Sequence, residues 1–418
     1  MERKYKDSGI EWIGRIPETW EVTKLNTLYT QRIEKVSDKD YPPLSVTMQG
    51  ILPQLENAAK TNNGDDRKLV RVGDFAINSR SDRRGSCGIS PYEGSVSLIN
   101  TILKPRNEMN PRYYNWLFHS SLFSDEFYKW GHGIVDDLWT TRWQEMRNIT
   151  VPSPTLEVQQ RIADYLDEKC GEIDSLIGLQ EQMIEKLKAY KQSVITEAVT
   201  KGLNPNGKLV PSGIDWIGEI PEGWSKDKVI RCFKKIGSGT TPKSTDDTLF
   251  EGNINWLQSG DINGGDLYEA SKHISEQTLA SYSALSVYQA PFIIIAMYGA
   301  SVGNISISHI DACVNQACCV LSGCALDFNY AFYALKSAKP YLIYRAEGGG
   351  QPNISQDKLK TLWIPRPAME EQQAIASYLD SKCSEIDNLI AVKHQKIEKL
   401  KDYKKGVIYE AVTGKTIV

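Results

Sequence analysis

Two stretches of this chain return to an apolar residue every seven positions. From Leu166 the steps fall on Ile173, Gln180, Leu187 and Val194, and from Cys170 on Ile177, Ile184, Lys191 and Ala198. The second stretch gives Leu379, Ile386, Lys393, Leu400 and Val407 beside Cys383, Ile390, Ile397, Lys404 and Ala411. Heptads sustained in this way predict two long helices, each with a seam for a partner helix. Each begins after a proline-broken strand, VPSP or IPRP, and opens on Glu157 or on Glu370 and Glu371, acidic residues suited to the positive end of a helix dipole. Gly202 and Gly414 stand where the patterns stop, as expected of left-handed helix caps. A helix of about 45 residues runs roughly 65–70 Å, longer than a compact domain needs. The helices are therefore expected to pack on each other as antiparallel arms; packing on their own domains or on another chain is the alternative. Gln180 and Lys393, at equivalent seam positions, either fix the register or mark solvent-facing ends of a loose seam.

The two helical stretches are copies of each other. VPSPTLEVQQRIADYLDEKCGEIDSLI from Val151 reappears as IPRPAMEEQQAIASYLDSKCSEIDNLI from Ile364, and IEKLKAYKQSVITEAVT recurs as IEKLKDYKKGVIYEAVT. A second box does the same: SGIEWIGRIPETW from Ser8 returns as SGIDWIGEIPEGW from Ser212. Between the boxes lie two inserts that look largely unrelated. Such an arrangement points to one frame used twice, holding two inserts that read different things.

At 418 residues, two domains of about 200 residues are each large enough to bury a core. A net charge of −3 carries no basic excess that would announce nucleic acid or an anionic membrane. The apolar run APFIIIAMYGA is too short to span a bilayer and the charged N-terminus lacks a signal-peptide core, so a soluble cytoplasmic protein without membrane association is expected. Eight cysteines with no CxxC pair argue against a zinc ribbon or a disulfide framework. Cys313, Cys318, Cys319 and Cys324 fall in an apolar run that reads as a buried strand, with a metal site as the weaker alternative. Cys170 and Cys383 sit on the helix seams, where packing is expected of them.

The PxP-to-helix boxes, the helical EIDSLI and EIDNLI, and the paired SGI-x-WIG-x-IP boxes together resemble the specificity subunits of type I DNA restriction-modification systems. That pattern extends from Ser8 to Thr413. The resemblance implies an α+β fold: two globular target-recognition domains joined by two long antiparallel coiled-coil helices, with a pseudo-two-fold internal repeat. The implied limits are 1–152 for the first recognition domain, 153–202 for the first spacer helix, 203–212 for a linker, 213–365 for the second recognition domain and 366–418 for the second spacer helix. Implied partners are double-stranded DNA, two methyltransferase subunits and, in a full complex, restriction subunits. S-adenosylmethionine, ATP and magnesium would belong to those partners, with no cofactor in this chain. The spacer seam would be made by Leu166, Ile173, Ile177, Ile184, Leu187, Val194, Leu379, Ile386, Ile390, Ile397, Leu400 and Val407. Two half-sites about one DNA turn apart, roughly 34 Å, would let two domains on a rigid spacer face one side of the duplex.

In the first insert, INSRSDRRGSCGIS places Ser79, Arg80, Ser81, Arg83 and Arg84 between two strand-like runs. Arginine reads guanine O6 and N7 bidentately, and serine serves phosphate or base. The alternative is a solvated basic loop paired to Asp82. The turn LSVTMQG and the segment WGHGIVDDLWTTRW are further candidates, with His132 read as structural. In the second insert, IGSGTTPKSTDD offers Ser238, Thr240, Thr241 and Lys243 as a phosphate-positioning loop. AMYGASVGNIS aligns with the arginine loop, so Tyr298 and Ser301 inherit its place without its charge. EGGGQPNIS carries Gln351 and Asn353, amides of the kind that pair adenine N6 and N7, or else a loop shaped only for chain reversal. Trp130, Trp139, Trp143, Trp256 and Trp363 are expected mostly in the core, and Trp12, Trp20, Trp216 and Trp224 in packing of the frame.

Catalytic motifs are missing. YPPL at Tyr41 lacks the leading residue of an adenine methyltransferase motif, and the terminal GKT lacks the earlier glycine of a phosphate-binding loop, since Tyr409 stands there. No nuclease, HExxH or GxSxG pattern is evident. A non-catalytic DNA-recognition subunit is the leading reading. A self-contained enzyme, a scaffold that reads no sequence, and a recognition subunit of a related modification system remain as alternatives.

Overall fold

The structure, a computed structural model, describes residues 4–54, 64–106, 108–133, 139–243, 245–346 and 353–418. The chain divides into two units, Met1–Glu181 with His394–Val418, and Gln182–Lys393. The division falls inside both long helices, Leu156–Lys201 and Met369–Val412. In the first unit, Ile162, Ala163, Leu166 and Cys170 from the start of one helix share a core with Val407, Ile408, Ala411 and Val412 from the end of the other. In the second unit the roles reverse, with Ile375, Ala376, Leu379 and Cys383 against Val194, Ile195, Ala198 and Val199. The beginning of each helix thus runs antiparallel to the end of the other.

Each heptad position is at least half-buried. Leu166, Ile173, Ile184, Val194, Leu379, Ile386, Ile397 and Val407 are buried, and Ile177, Leu187, Ile390 and Leu400 are half-buried. Gln180 is also buried and Lys393 half-buried, so neither position is a solvent-facing end. Lysines at seam positions reach across to the opposite helix. Lys404 Nζ donates to both carboxylate oxygens of Asp174 at 2.7 Å in the first unit, and Lys191 Nζ does so to Asp387 at 2.7 and 2.6 Å in the second. Both helices end as expected, on Gly202 at φ +72° and Gly414 at φ +73°. A Cβ on Gly414 would also lie 2.6 Å from the Pro17 ring, so the cap doubles as a docking point for the first box.

Each unit closes its insert with a two-stranded antiparallel ladder. Glu21–Lys24 pairs with Thr150–Ser153, Val22 opposite Pro152. Ser225–Lys228 pairs with Trp363–Arg366, Lys226 opposite Pro365. From there the chain enters a larger antiparallel sheet. In the first unit its strand order is Cys87–Ile89, Phe75–Asn78, Asn100–Pro105 and Tyr29–Arg32. In the second it is Ile305–Ser308, Phe292–Ala296, Cys318–Cys324 and Phe233–Gly237, the same order, with Asp266–Leu267 added in parallel to Ile305–Ser308. The unrelated-looking inserts therefore share one sheet topology.

A helix follows this sheet in each unit, Pro111–His119 or Phe328–Ser337, capped by Asn110 or Asp327. The twin glutamines of the PxP boxes fix it to the frame. Gln159 accepts the Asn110 amide at 2.9 Å and donates to the Pro154 carbonyl at 2.8 Å. Gln372 repeats this with the Asp327 amide at 2.8 Å and the Pro367 carbonyl at 2.9 Å. Cys318–Cys324 is a buried strand over its first four residues, as read from the sequence. Among the described residues no helix is long and apolar enough to cross a membrane.

Candidate nucleic-acid interface

In both units the candidate residues gather where the central strands turn. Phe75–Asn78 turns into Cys87–Ile89 through the arginine loop, and Phe292–Ala296 turns into Ile305–Ser308 through the Tyr298 loop. The two turns occupy the same place in equivalent sheets, as the alignment predicts. Only their chemistry differs.

The first turn is cationic and braced from beneath. Ser79 is buried, its hydroxyl 3.0 Å from that of Thr101, and its carbonyl accepts the Thr141 amide at 2.9 Å. It supports the loop rather than facing outward. Arg80 is exposed, with its amide bonded to Asn78 at 3.0 Å, and it bridges Thr140 in antiparallel fashion. Ser81 to Arg83 make one short helical turn; the Ser81 side chain lies outside the described residues. Arg83 is exposed and lies 3.7 Å from Asp82, the pairing foreseen for a solvated loop. Arg84 lies over Tyr128, its guanidinium carbon 3.8 Å from the ring centroid, and pairs with Asp125 at 3.3 Å. Arg80 and Arg83 thus present their charge to solvent, while Arg84 is committed to the helix Ser121–Lys129.

Beside the loop lies a cleft of about 370 Å³ lined in part by Gln31, Lys68, Thr140 and Arg142. Lys68 donates to the Asn100 carbonyl at 2.6 Å, and burial, with the nearby Lys35 charge, depresses its pKa. Arg142 is exposed on the segment TTRW and adds a cation that the sequence flagged only as part of a longer stretch. His132, in the same stretch, is exposed 4.0 Å from Glu145. The turn at Leu44 is a hairpin whose tip exposes Met48.

In the second unit most of the hydroxyl loop is tied down. The Ser238 carbonyl accepts from Tyr288 Oη and the Thr240 carbonyl from Trp256 Nε1, both at 3.2 Å. The Lys243 amide donates to Tyr282 Oη at 3.1 Å, leaving its exposed ammonium at the loop tip. Ser301 Oγ donates to the Ser259 carbonyl at 2.6 Å. Thr241 Oγ1 instead meets the exposed Gln316 Oε1 at 2.5 Å. The Ile354 amide bonds the Met297 carbonyl at 2.7 Å, which brings the exposed Asn353 to the side of the Tyr298 turn. Gln351 lies outside the described residues. Gln316 was missed because it stands in a run read as a buried strand. The polar pair Asn315-Gln316 inside ACVNQACCV was the available signal.

No group of three histidines, cysteines or carboxylates suited to a metal occurs among the described residues. The cysteines are free thiols, and burial pushes Cys313 up to about 11 and Cys319 to about 12, away from thiolate chemistry.

Residues 221–402 match the family described as type I restriction modification DNA specificity domain. Over nearly its whole length the chain is similar to curated type I restriction enzyme specificity subunits. It is 27% identical to the MjaVIII specificity subunit of Methanocaldococcus jannaschii over 427 residues, covering 96% of this chain and 94% of that one. It is 24% identical to the EcoBI specificity subunit of Escherichia coli over 273 residues, 59% of this chain and 55% of the relative. The fold agrees. A chain solved in work on complex assembly and conformational transition of the type I R-M system superposes with a TM-score of 0.70 at 17% identity, covering 96% of this chain and 99% of that one. The HsdS subunit from Thermoanaerobacter tengcongensis gives 0.50 at 18%, covering 96% and 98%.

Proposed function

We propose that this chain is the sequence-specific DNA-recognition subunit of a type I restriction-modification complex, each insert reading one half of a bipartite target. The observation that carries this reading is the repeated sheet whose equivalent turns bear different side chains, arginines in one and a hydroxyl-amide set in the other. One scaffold presenting two unlike reading edges suits a target with two unlike halves. The exposed Arg80 and Arg83, with Arg142 beside them, fit guanine or phosphate in the first half. Two short half-sites held at fixed spacing multiply their discrimination against the many competing genomic sites.

In this reading the long helices set the spacing and dock two methyltransferase subunits, with restriction subunits joining the full complex. Supporting it, exposed apolar residues off the seam recur in both helices: Leu176 and Leu389, Leu179 and Val392, Tyr190 and Tyr403. Repeated faces of this kind suit two copies of one partner. S-adenosylmethionine, ATP and magnesium would be held by those partners, and the complex would work in the cytoplasm. The test is to co-express the chain with its cognate methyltransferase in a methylation-free host and map N6-methyladenine by single-molecule sequencing. A bipartite motif with unlike halves is expected; an intact complex that leaves no motif would favour a scaffold that reads no sequence.

A further inference from the structure

Three separate stretches of the second unit meet at Gln316. This exposed glutamine caps the turn between Cys313–Val314 and Cys318–Cys324. The turn is anchored on both sides by its neighbour Asn315, whose side chain accepts the Ala317 amide at 3.0 Å and whose amide donates to the Leu257 carbonyl at 3.0 Å. The hydroxyl loop lies directly against it because Gly239 has no side chain. A Cβ there would sit 1.9 Å from the Val314 carbonyl oxygen. That close approach delivers the Thr241 hydroxyl to Gln316 Oε1 at 2.5 Å. From the other side, the Met297 amide bonds the Ala317 carbonyl at 2.8 Å and sets Tyr298 alongside. Burial pushes the Tyr298 phenol up, and the Gln316 side chain opposes that shift.

The Gln316 carboxamide is therefore aimed before any ligand arrives. Accepting from Thr241 uses one lone pair of Oε1, and one Nε2 hydrogen is turned to the Tyr298 phenol; a second lone pair and a second hydrogen remain. One acceptor beside one donor matches N6 and N7 of adenine in the major groove, and no other base offers that pair there. A side chain already oriented loses less rotamer freedom on binding.

We infer that Gln316 is the base-reading residue of the second unit, specifying an adenine in its half of the DNA target, and that Thr241 is the positioning residue that orients its carboxamide. This rests on the recognition-subunit reading above, and the test separates the two. The full chain is co-expressed with its methyltransferase and methylation is mapped for the parent and for Gln316→Ala, Gln316→Arg, Thr241→Val and Thr241→Ser. Expected for Gln316→Ala is relaxation at one fixed adenine of one half-site, with methylation at the parent motif slowed about 5- to 150-fold and the other half unchanged. Gln316→Arg should move that position toward guanine. Thr241→Val should relax the same position and Thr241→Ser restore it, a pattern that a merely structural hydroxyl would not give. If Gln316→Ala methylates nothing, duplexes bearing each base at that position are competed at low salt: lost adenine preference supports the assignment and retained preference overturns it. A parent with a bipartite motif whose Gln316 variants keep every base unchanged overturns the inference alone. A parent with no motif sinks the recognition reading and this assignment with it.

Discussion

Arg32 and Asp74 form a two-point ion pair inside the first unit, Nε to Oδ2 at 2.7 Å and Nη2 to Oδ1 at 3.1 Å. Both side chains are nearly buried, and the Asp74 hydrogen bond raises the arginine pKa above its usual value. Removing Asp74 leaves the nearly buried Arg32 with the more exposed Glu34, 2.9 Å from Nη1, as its remaining ion-pair partner, so Asp74→Ala should cost about 3 kcal/mol in urea unfolding. Asp82→Ala, whose contact with Arg83 is exposed, should fall within about 0.5 kcal/mol of the parent. His119 offers a test by pH. Burial is the largest influence on its imidazole and lowers its pKa, and the Lys404 charge adds to this; hydrogen bonds to Asn115 and Cys87 only partly oppose it. The folded pKa is thus below the unfolded value of about 6.5. The unfolded chain binds the proton more readily, so the contribution of His119 is intact above that value and lost as pH falls through the lowered one. The urea midpoint should drop as pH falls below about 6.5, and His119→Asn should flatten that drop. An equally steep profile in the variant would assign the acid sensitivity elsewhere.

At the scale of elements, the long helices were legible because a heptad is a local signal carried over many turns. Every predicted seam residue is buried or half-buried, and both glycine caps have the expected backbone. The inserts were not legible in the same way. Their strands are two to seven residues long and pair with distant partners, as where Asp266–Leu267 lies parallel to Ile307 and Ser308. Gln316 became visible only once the fold set it against Thr241, and Ser79 turned inward because Thr101 lies beneath it. The off-seam faces of the helices yield a prediction of their own. Leu176→Glu with Leu179→Glu, or Leu389→Glu with Val392→Glu, should leave the chain folded but each lower the recovered ratio of methyltransferase to recognition subunit. Combining all four should abolish co-purification, read by affinity capture and circular dichroism. Full recovery of both copies from the fourfold variant would place the docking surface elsewhere.

For the whole molecule, helix length becomes a quantity that can be read out on DNA. Four residues inserted after Lys188, and four at the equivalent Lys401, add about 6 Å to each helix. The gap between half-sites should then grow by one or two base pairs while both halves keep their bases; an unchanged gap would show that the helices do not set it. With a net charge of −3, the isolated chain should bind DNA weakly, and the assembled complex tightly with a steep salt dependence. Tight specific binding by the chain alone would overturn that division of labour. The short ladders that close each insert have a further consequence. Val22 lies opposite Pro152, and Lys226 opposite Pro365, so the entry and exit of each insert are neighbours at one fixed register. A foreign insert that begins and ends on that register could be exchanged in a single genetic crossover pair, with neither helix disturbed. An insert exchanged in that way would bring a new reading edge to an unchanged frame.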